Sequence, residues 1–184
     1  MAANTVPIEQ FFNQQANSTL IEEANRYRTI PKDTYNVQVV KVEGKEWNYK
    51  DSGVRPGAHL TVKVSKGDKI IATVFPDVSW VERRTKAGKL DRRSLLWGQL
   101  QKAAFSEATR ADMDAKTVED VIERIMKYPV GAYVTEAYLV PDPNNPQYTN
   151  SNTPRSEEEE KEYNERGYKK VNEILSFNKY QEGR

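Results

Sequence analysis

The segment Ala58–Pro76 limits the possible folds more than any other part of the chain. Two alternating runs, HLTVKVS and KIIATVF, flank the short turn Lys66-Gly67-Asp68. A side-chain period of two on both sides of a tight turn is the pattern of an antiparallel hairpin with one buried face. With a three-residue loop, Val64 opposes Ile70, Val62 opposes Ala72 and Leu60 opposes Val74, so every pair on that face is apolar. The other face pairs Ser65 with Lys69, Lys63 with Ile71, Thr61 with Thr73, and His59 with Phe75. A slip of one residue would set Val64 against Lys69 and mix the two faces. Pro76 has no ladder donor and ends the second strand.

Elements of the same kind flank this hairpin. From Thr34, Tyr35, Val37 and Val39 share one face, then the phase changes to Val40 and Val42, which requires a bulge or strong bend. Val130–Val140 returns to strand composition, with a second phase change near Thr135-Glu136. Between the hairpin and this strand, Leu96, Trp97, Leu100, Ala103 and Ala104 recur at helical spacing behind Asp91 or Ser94 as cap. Thr117-Val-Glu-Asp120 reads as a capping box, followed by the stripe Val118, Val121, Ile122, Ile125, Met126. Residues 1–29 form a polar arm expected to dock on the domain, with apolar clusters at Ile8, Phe11, Phe12 and at Leu20–Tyr27. Residues 30–140 form the core, with a helical insertion at 91–128. Residues 141–155 are rich in Pro and Asn and read as a linker. Residues 156–184 hold an acidic helix that starts at Ser156 and ends at Gly167, then a final strand or short helix packing back on the core.

Composition removes several chemistries. The chain has no Cys and one His, His59, which excludes disulfides, Cys-ligated zinc, iron–sulfur clusters and a thiol nucleophile, and disfavours a His-based triad. No signal-like start or membrane-length apolar run is present, so a soluble chain in the cytoplasm is expected. With 28 Lys+Arg against 27 Asp+Glu the total charge is balanced, but Trp80–Arg110 carries eight cations against three acids, and Pro141–Gly167 is correspondingly acidic.

The order of strand, two-stranded hairpin, helices, strand, linker and a last strand, with bends in the first and fourth strands, gives a mainly β fold with helical insertions. The expected architecture is an OB-fold-like five-stranded barrel with helices between strands 3 and 4, a polar N-terminal arm and an acidic C-terminal helix. The alternative is another small barrel or an α+β sandwich with helices at one end. The stretches IPKDTYNVQVVKVEG and PGAHLTVKVSKGDKIIATVFPD, a helix, and VGAYVTEAYLVP resemble bacteriophage-encoded single-stranded DNA-binding proteins of the OB-fold type, over roughly residues 30–180. The resemblance implies a non-enzymatic protein of phage DNA replication or recombination, in the host cytoplasm, whose partners are single-stranded DNA and replication or recombination proteins. It differs from the pattern in placing its acidic run internally, with NKYQEGR at the end of the sequence.

Binding a single strand without sequence choice needs cations spaced along phosphates and aromatic faces on which bases stack. The wet hairpin face offers His59, Lys63, Lys69 and Phe75; the expected loop between strands 1 and 2 offers Lys45, Trp47 and Tyr49. The segment WVERRTKAGKLDRR supplies Trp80, Arg83, Arg84, Lys86, Lys89, Arg92 and Arg93 as a phosphate-binding flap. Trp97 reads as core. No cofactor, metal ligand or catalytic residue is expected. The alternatives are a protein-interaction or regulatory module, and a Mg²⁺-dependent nuclease drawing on Asp112, Asp114, Glu119, Asp120 and Glu123. A homo-oligomer is compatible with either non-enzymatic role, and no membrane partner is expected. Phe75→Ala is expected to weaken single-strand binding by about 1–3 kcal/mol without unfolding the chain, a difference readable by fluorescence anisotropy; unchanged affinity would reject Phe75 as a stacking platform.

Overall fold

A long bent strand organises the molecule. In the computed structural model, which describes residues 5–16, 29–49 and 53–184, β1 (Asp33–Tyr49) pairs along most of its length with β2 (Gly53–Lys66), and its opening residues Asp33–Val37 also pair with β5 (Val130–Pro141). β2 pairs with β3 (Lys69–Val74) and, further along, with β4 (Asp77–Val78). β5 pairs with β6 (Thr149–Asn152) and β7 (Lys170–Asn178). Among the described residues there are seven strands, all antiparallel in one open sheet, and four α-helices: α1 (Arg92–Ala104), α2 (Arg110–Asp114), α3 (Val118–Lys127) and α4 (Glu157–Glu165).

Three bulges let the sheet curve around its core. In β1 the register slips between Val39 and Lys41, so Val40 is the extra residue. Val37 and Val39 stay buried before it, Val42 returns to the core after it, and Val40 itself is exposed. In the β2–β3 hairpin the turn is Gly67-Asp68 alone, with Gly67 at φ +59°, and Ile71 is bulged. The core pairs are therefore Val64 with Ala72 and Val62 with Val74, two residues offset on β3 from those expected of a three-residue loop. Ile70, expected inside, is half exposed. In β7 the extra residue is Leu175, which brings both Ile174 and Phe177 to the core and leaves Leu175 outside. The phase change expected within β5 thus resides in its neighbour.

These strands close over Leu96, Trp97 and Leu100 of α1 and Val121 and Ile125 of α3. The caps follow the sequence. Asp91 accepts from Ser94 N, and Thr117 and Asp120 form the reciprocal box. A second box, Thr109 with Asp112, starts α2. Seven strands stand where five were expected: β4 is the short continuation after Pro76, and β6 lies within the expected linker. Residues 170–178 are a strand. The acidic α4 packs on β5, where buried Tyr163 lies 5.4 Å from Tyr138 and the Tyr138 hydroxyl donates to Asn164 Oδ1 at 3.0 Å. In the arm, Ile8–Phe11 is one exposed 3-10 turn; the Leu20–Tyr27 cluster lies outside the described residues. Among the described residues, no helix is long and apolar enough to cross a membrane.

Leu60 is fully buried, whereas Val54, on the projecting half of the same strand, is 57% exposed. Leu60→Ala is expected to cost about 2–5 kcal/mol in urea unfolding and Val54→Ala less than about 0.5 kcal/mol. Equal costs would contradict this placement of the core.

Candidate nucleic-acid interface

The segment expected as a loop, Lys45–Tyr49, is β-structure. Trp47 pairs with Arg55 and Tyr49 with Gly53 in the outer half of the β1–β2 hairpin. Trp47 and Tyr49 are two residues apart and so share a face. Trp47 lies close over Gly57: a Cβ there would come within 2.5 Å of the indole and 2.2 Å of the Val78 carbonyl oxygen, so a side chain would push β4 and the indole away.

Two arginines complete the arrangement. The Arg93 guanidinium lies 4.0 Å from the centroid of Trp47 and donates from Nη1 to the Tyr49 hydroxyl at 2.6 Å. The Arg83 guanidinium lies 3.8 Å from the Tyr49 centroid. Trp47, Arg93, Tyr49 and Arg83 thus form one ladder of alternating rings and cations. From Arg93 the track continues through Asp77, whose Oδ2 lies 3.8 Å from Nη2 and whose Oδ1 is 2.8 Å from His59 Nδ1. The imidazole stacks on Phe75 with centroids 5.9 Å apart and planes 5° from parallel. Lys63 follows on the same face of β2.

A residue not anticipated from sequence holds this together. Arg55 is 4% exposed. Its Nη1 and Nη2 pair with the two carboxylate oxygens of Asp91, the second at 2.9 Å, while Nη2 also donates to Ser94 Oγ at 2.6 Å and to the Val81 carbonyl at 3.1 Å. Nε donates to Ser79 Oγ at 3.1 Å. Asp91 caps α1 and its N–H donates to the Arg83 carbonyl at 2.8 Å. One buried guanidinium therefore fixes both ends of the basic flap and the first turn of α1 that carries Arg93. Burial would raise the Asp91 carboxyl, but the Arg55 hydrogen bonds and the Ser94 N–H outweigh it and hold the group at about 2. Sequence alone marks Asp91 as a cap and leaves Arg55, 36 residues earlier, without a partner.

The other expected residues separate into two groups. Lys86 and Lys89 project from the flap, a small hairpin closed by an Arg84–Leu90 bridge, and Lys45 is exposed on β1. Arg84 is held within the flap, donating to Glu82 at 2.7 Å and to the Gly88 carbonyl at 2.9 Å. Arg92 points away from the ladder, pairing with Glu173 at 2.9 Å and donating to the Ile174 carbonyl at 2.6 Å, and so ties α1 to β7. Trp80 meets core Trp97 edge-on at 5.6 Å, and Lys69 stands beside the Gly67-Asp68 turn, opposite Lys66. A cleft of about 680 Å³ opens beside the track between Phe75, Asp77, Arg93 and Glu173. Burial pushes the Glu173 carboxyl up, opposed by the Arg92 charge. Of the carboxylates considered for metal chemistry, Asp112 and Asp120 serve as caps, and no group of three or more potential metal ligands converges among the described residues.

No protein-family model matches the chain, and neither a curated protein nor a solved structure is found to be similar to it.

Removing one partner of a buried pair strands the other, so Arg55→Ala is expected to lose about 3–5 kcal/mol of stability. The folded Asp91 carboxyl lies below its ordinary 3.8. Its contribution, on the order of 2 kcal/mol, is therefore present above about pH 4 and lost as pH falls toward 2. Urea unfolding from pH 7 to pH 2 should show Asp91→Asn converging on the parent protein at the acid end; a constant gap would contradict the assignment.

Proposed function

We propose that this chain binds single-stranded DNA with little sequence preference and acts without catalysing a reaction, coating strands during phage replication or recombination. The observation that carries this reading is the ladder of Trp47, Arg93, Tyr49 and Arg83, continued by His59 and Phe75. It places ring faces and cations alternately along one track, and that alternation matches the alternation of bases and phosphates. The course of the sheet supports the same reading. Its five longest strands follow the order β3-β2-β1-β5-β7, three of the four helices (α1 to α3) come between β3 and β5 while α4 precedes β7, and β3 approaches β7 without pairing to it among the described residues. We read this course as that of an OB-like barrel with an open seam, with β4 and β6 as additions.

Binding proceeds by exchange. In the free protein the guanidiniums of Arg93 and Arg83 cover the faces of Trp47 and Tyr49. These contacts are worth about 0.5–2 kcal/mol each. A base that slides onto either ring recovers about 1–3 kcal/mol by stacking, and the displaced guanidinium becomes available to a phosphate at the adjacent position. Every base has a π-face and every nucleotide a phosphate, so the exchange is nearly blind to sequence.

The test is a titration of labelled oligo-dT and its duplex across a salt series, read by anisotropy with tryptophan emission in parallel. Tight single-strand binding is expected, with a log–log salt slope of about −0.7 per neutralised phosphate. Trp47→Ala should weaken it by about 1–3 kcal/mol. Joint replacement of Arg83 and Arg93 by Ala should flatten the slope by up to about 1.4, whereas Arg84→Ala, already held by Glu82 and Gly88, should change it less. Equal affinity for duplex, or a slope untouched by the double variant, would overturn the proposal. Absence of binding at low salt would redirect attention to protein partners of the acidic α4.

A further inference from the structure

A second cluster of cations on aromatic rings lies at the opposite end of α1, and the strand track does not use it. Lys116 Nζ stands 5.2 Å from the Phe105 centroid, Arg124 4.1 Å from Tyr128, and Lys127 Nζ 5.4 Å from Tyr128. Two adjoining hollows of about 230 and 320 Å³ share Arg124 and Tyr128 in their walls. Tyr128 and Tyr180, which line them, are 43% and 44% exposed. Asp120 and Glu123 also line the first hollow; Asp120 is engaged by the Thr117 cap.

α1 connects the two clusters. Arg93, in the ladder, is in its first turn; Ala103 and Ala104, at its end, border the second hollow. Thirteen residues span about 20 Å. Arg92–Ala104 contains Arg92, Arg93 and Lys102 and no acid. Gly98 has open space where a side chain would stand, and Lys102 is exposed one turn further on. Arg93 and Lys102, nine residues apart, lie on opposite sides of α1, so a polyanion leaving Arg93 has to cross over the helix, and it can do so at Gly98, where no side chain stands in the way, before it meets Lys102 and then rings that already carry cations, with no carboxylate on this helix.

We propose that the Phe105–Tyr128 cluster is a second single-strand-binding site, reached by the same strand along α1, so that only oligonucleotides long enough to span both ends gain from it. This rests on the strand-binding reading of the ladder and extends it by giving the bound strand a direction and a footprint. The chemistry at both ends is the same exchange, a base replacing a cation on Tyr128 or Phe105 and the cation passing to phosphate.

The experiment compares oligo-dT of about 4 and about 16 nucleotides, the limits of footprints known for single domains of this type. The variants are Lys116→Ala with Lys127→Ala, both exposed, and separately Tyr128→Leu, each checked by its melting curve. The expected result is unchanged binding of the short strand. For the long strand, the Lys pair should weaken binding roughly tenfold and flatten the salt slope by up to about 1.4, and Tyr128→Leu should weaken it at least about fivefold. Long-strand binding untouched by both variants, or short and long strands weakened alike, would overturn the second site while leaving the ladder intact. Failure of the parent protein to bind either length would remove both readings together.

Discussion

The buried ion pair between Arg55 and Asp91 is the interaction on which the rest of the candidate interface depends. Neither the aromatic hairpin nor the basic flap makes a site alone. The hairpin projects past the core, and the flap is a short excursion whose own contacts are local. Arg55 joins them because it reaches from β2 to the cap of α1, to Ser79 and to the Val81 carbonyl at once. A guanidinium suits this position: its planar fork meets both carboxylate oxygens while leaving donors for the others, which a lysine could not do. Since nearly every donor is used, the cost of burying the charge is offset in place.

From that fixed point the surface follows in order. Asp91 sets the start of α1, the first turn sets Arg93, and the flap sets Arg83, so the two cations arrive over two rings held by strand pairing. Asp77 is a further constraint. It faces both His59 and Arg93 and therefore holds the imidazole against Phe75 while competing with any phosphate for Arg93. The result is a surface whose cations are already ordered, so less side-chain entropy is lost on binding than from free lysines. Lys86 and Lys89, exposed on the flap, are suited to steering a strand toward the ladder.

Much of this was legible from local pattern. The division of the β2–β3 hairpin into a core face and a wet face, the break in β1 near Val40, the capping box at Thr117 and the core position of Trp97 all depend on spacings within a few residues, whereas His59, expected opposite Phe75, pairs with Asp77 and meets the Phe75 ring from one step along the ladder. The departures have physical causes of two kinds. The hairpin offset and the placement of Ile174 and Phe177 arise from single bulged residues, Ile71 and Leu175, which periodicity registers only as an irregularity. The opposite fates of Arg92 and Arg93, neighbours in one basic run, depend on helix rotation: one meets Glu173 on β7, the other Trp47. The Arg55–Asp91 pair and the Phe105–Tyr128 cluster join residues distant in sequence, and no local spacing encodes them.

Photo-crosslinking of a 5-iodouracil-substituted oligonucleotide, with the attached residues located by mass spectrometry, tests the central claim most directly. It asks at once whether a strand is bound and where. Attachment at Trp47, Tyr49, His59 or Phe75, competed by unlabelled single strand and not by duplex, is the predicted result. Attachment confined to other surfaces such as α4, or none at low salt, would contradict the assignment of the ladder as the strand-binding track.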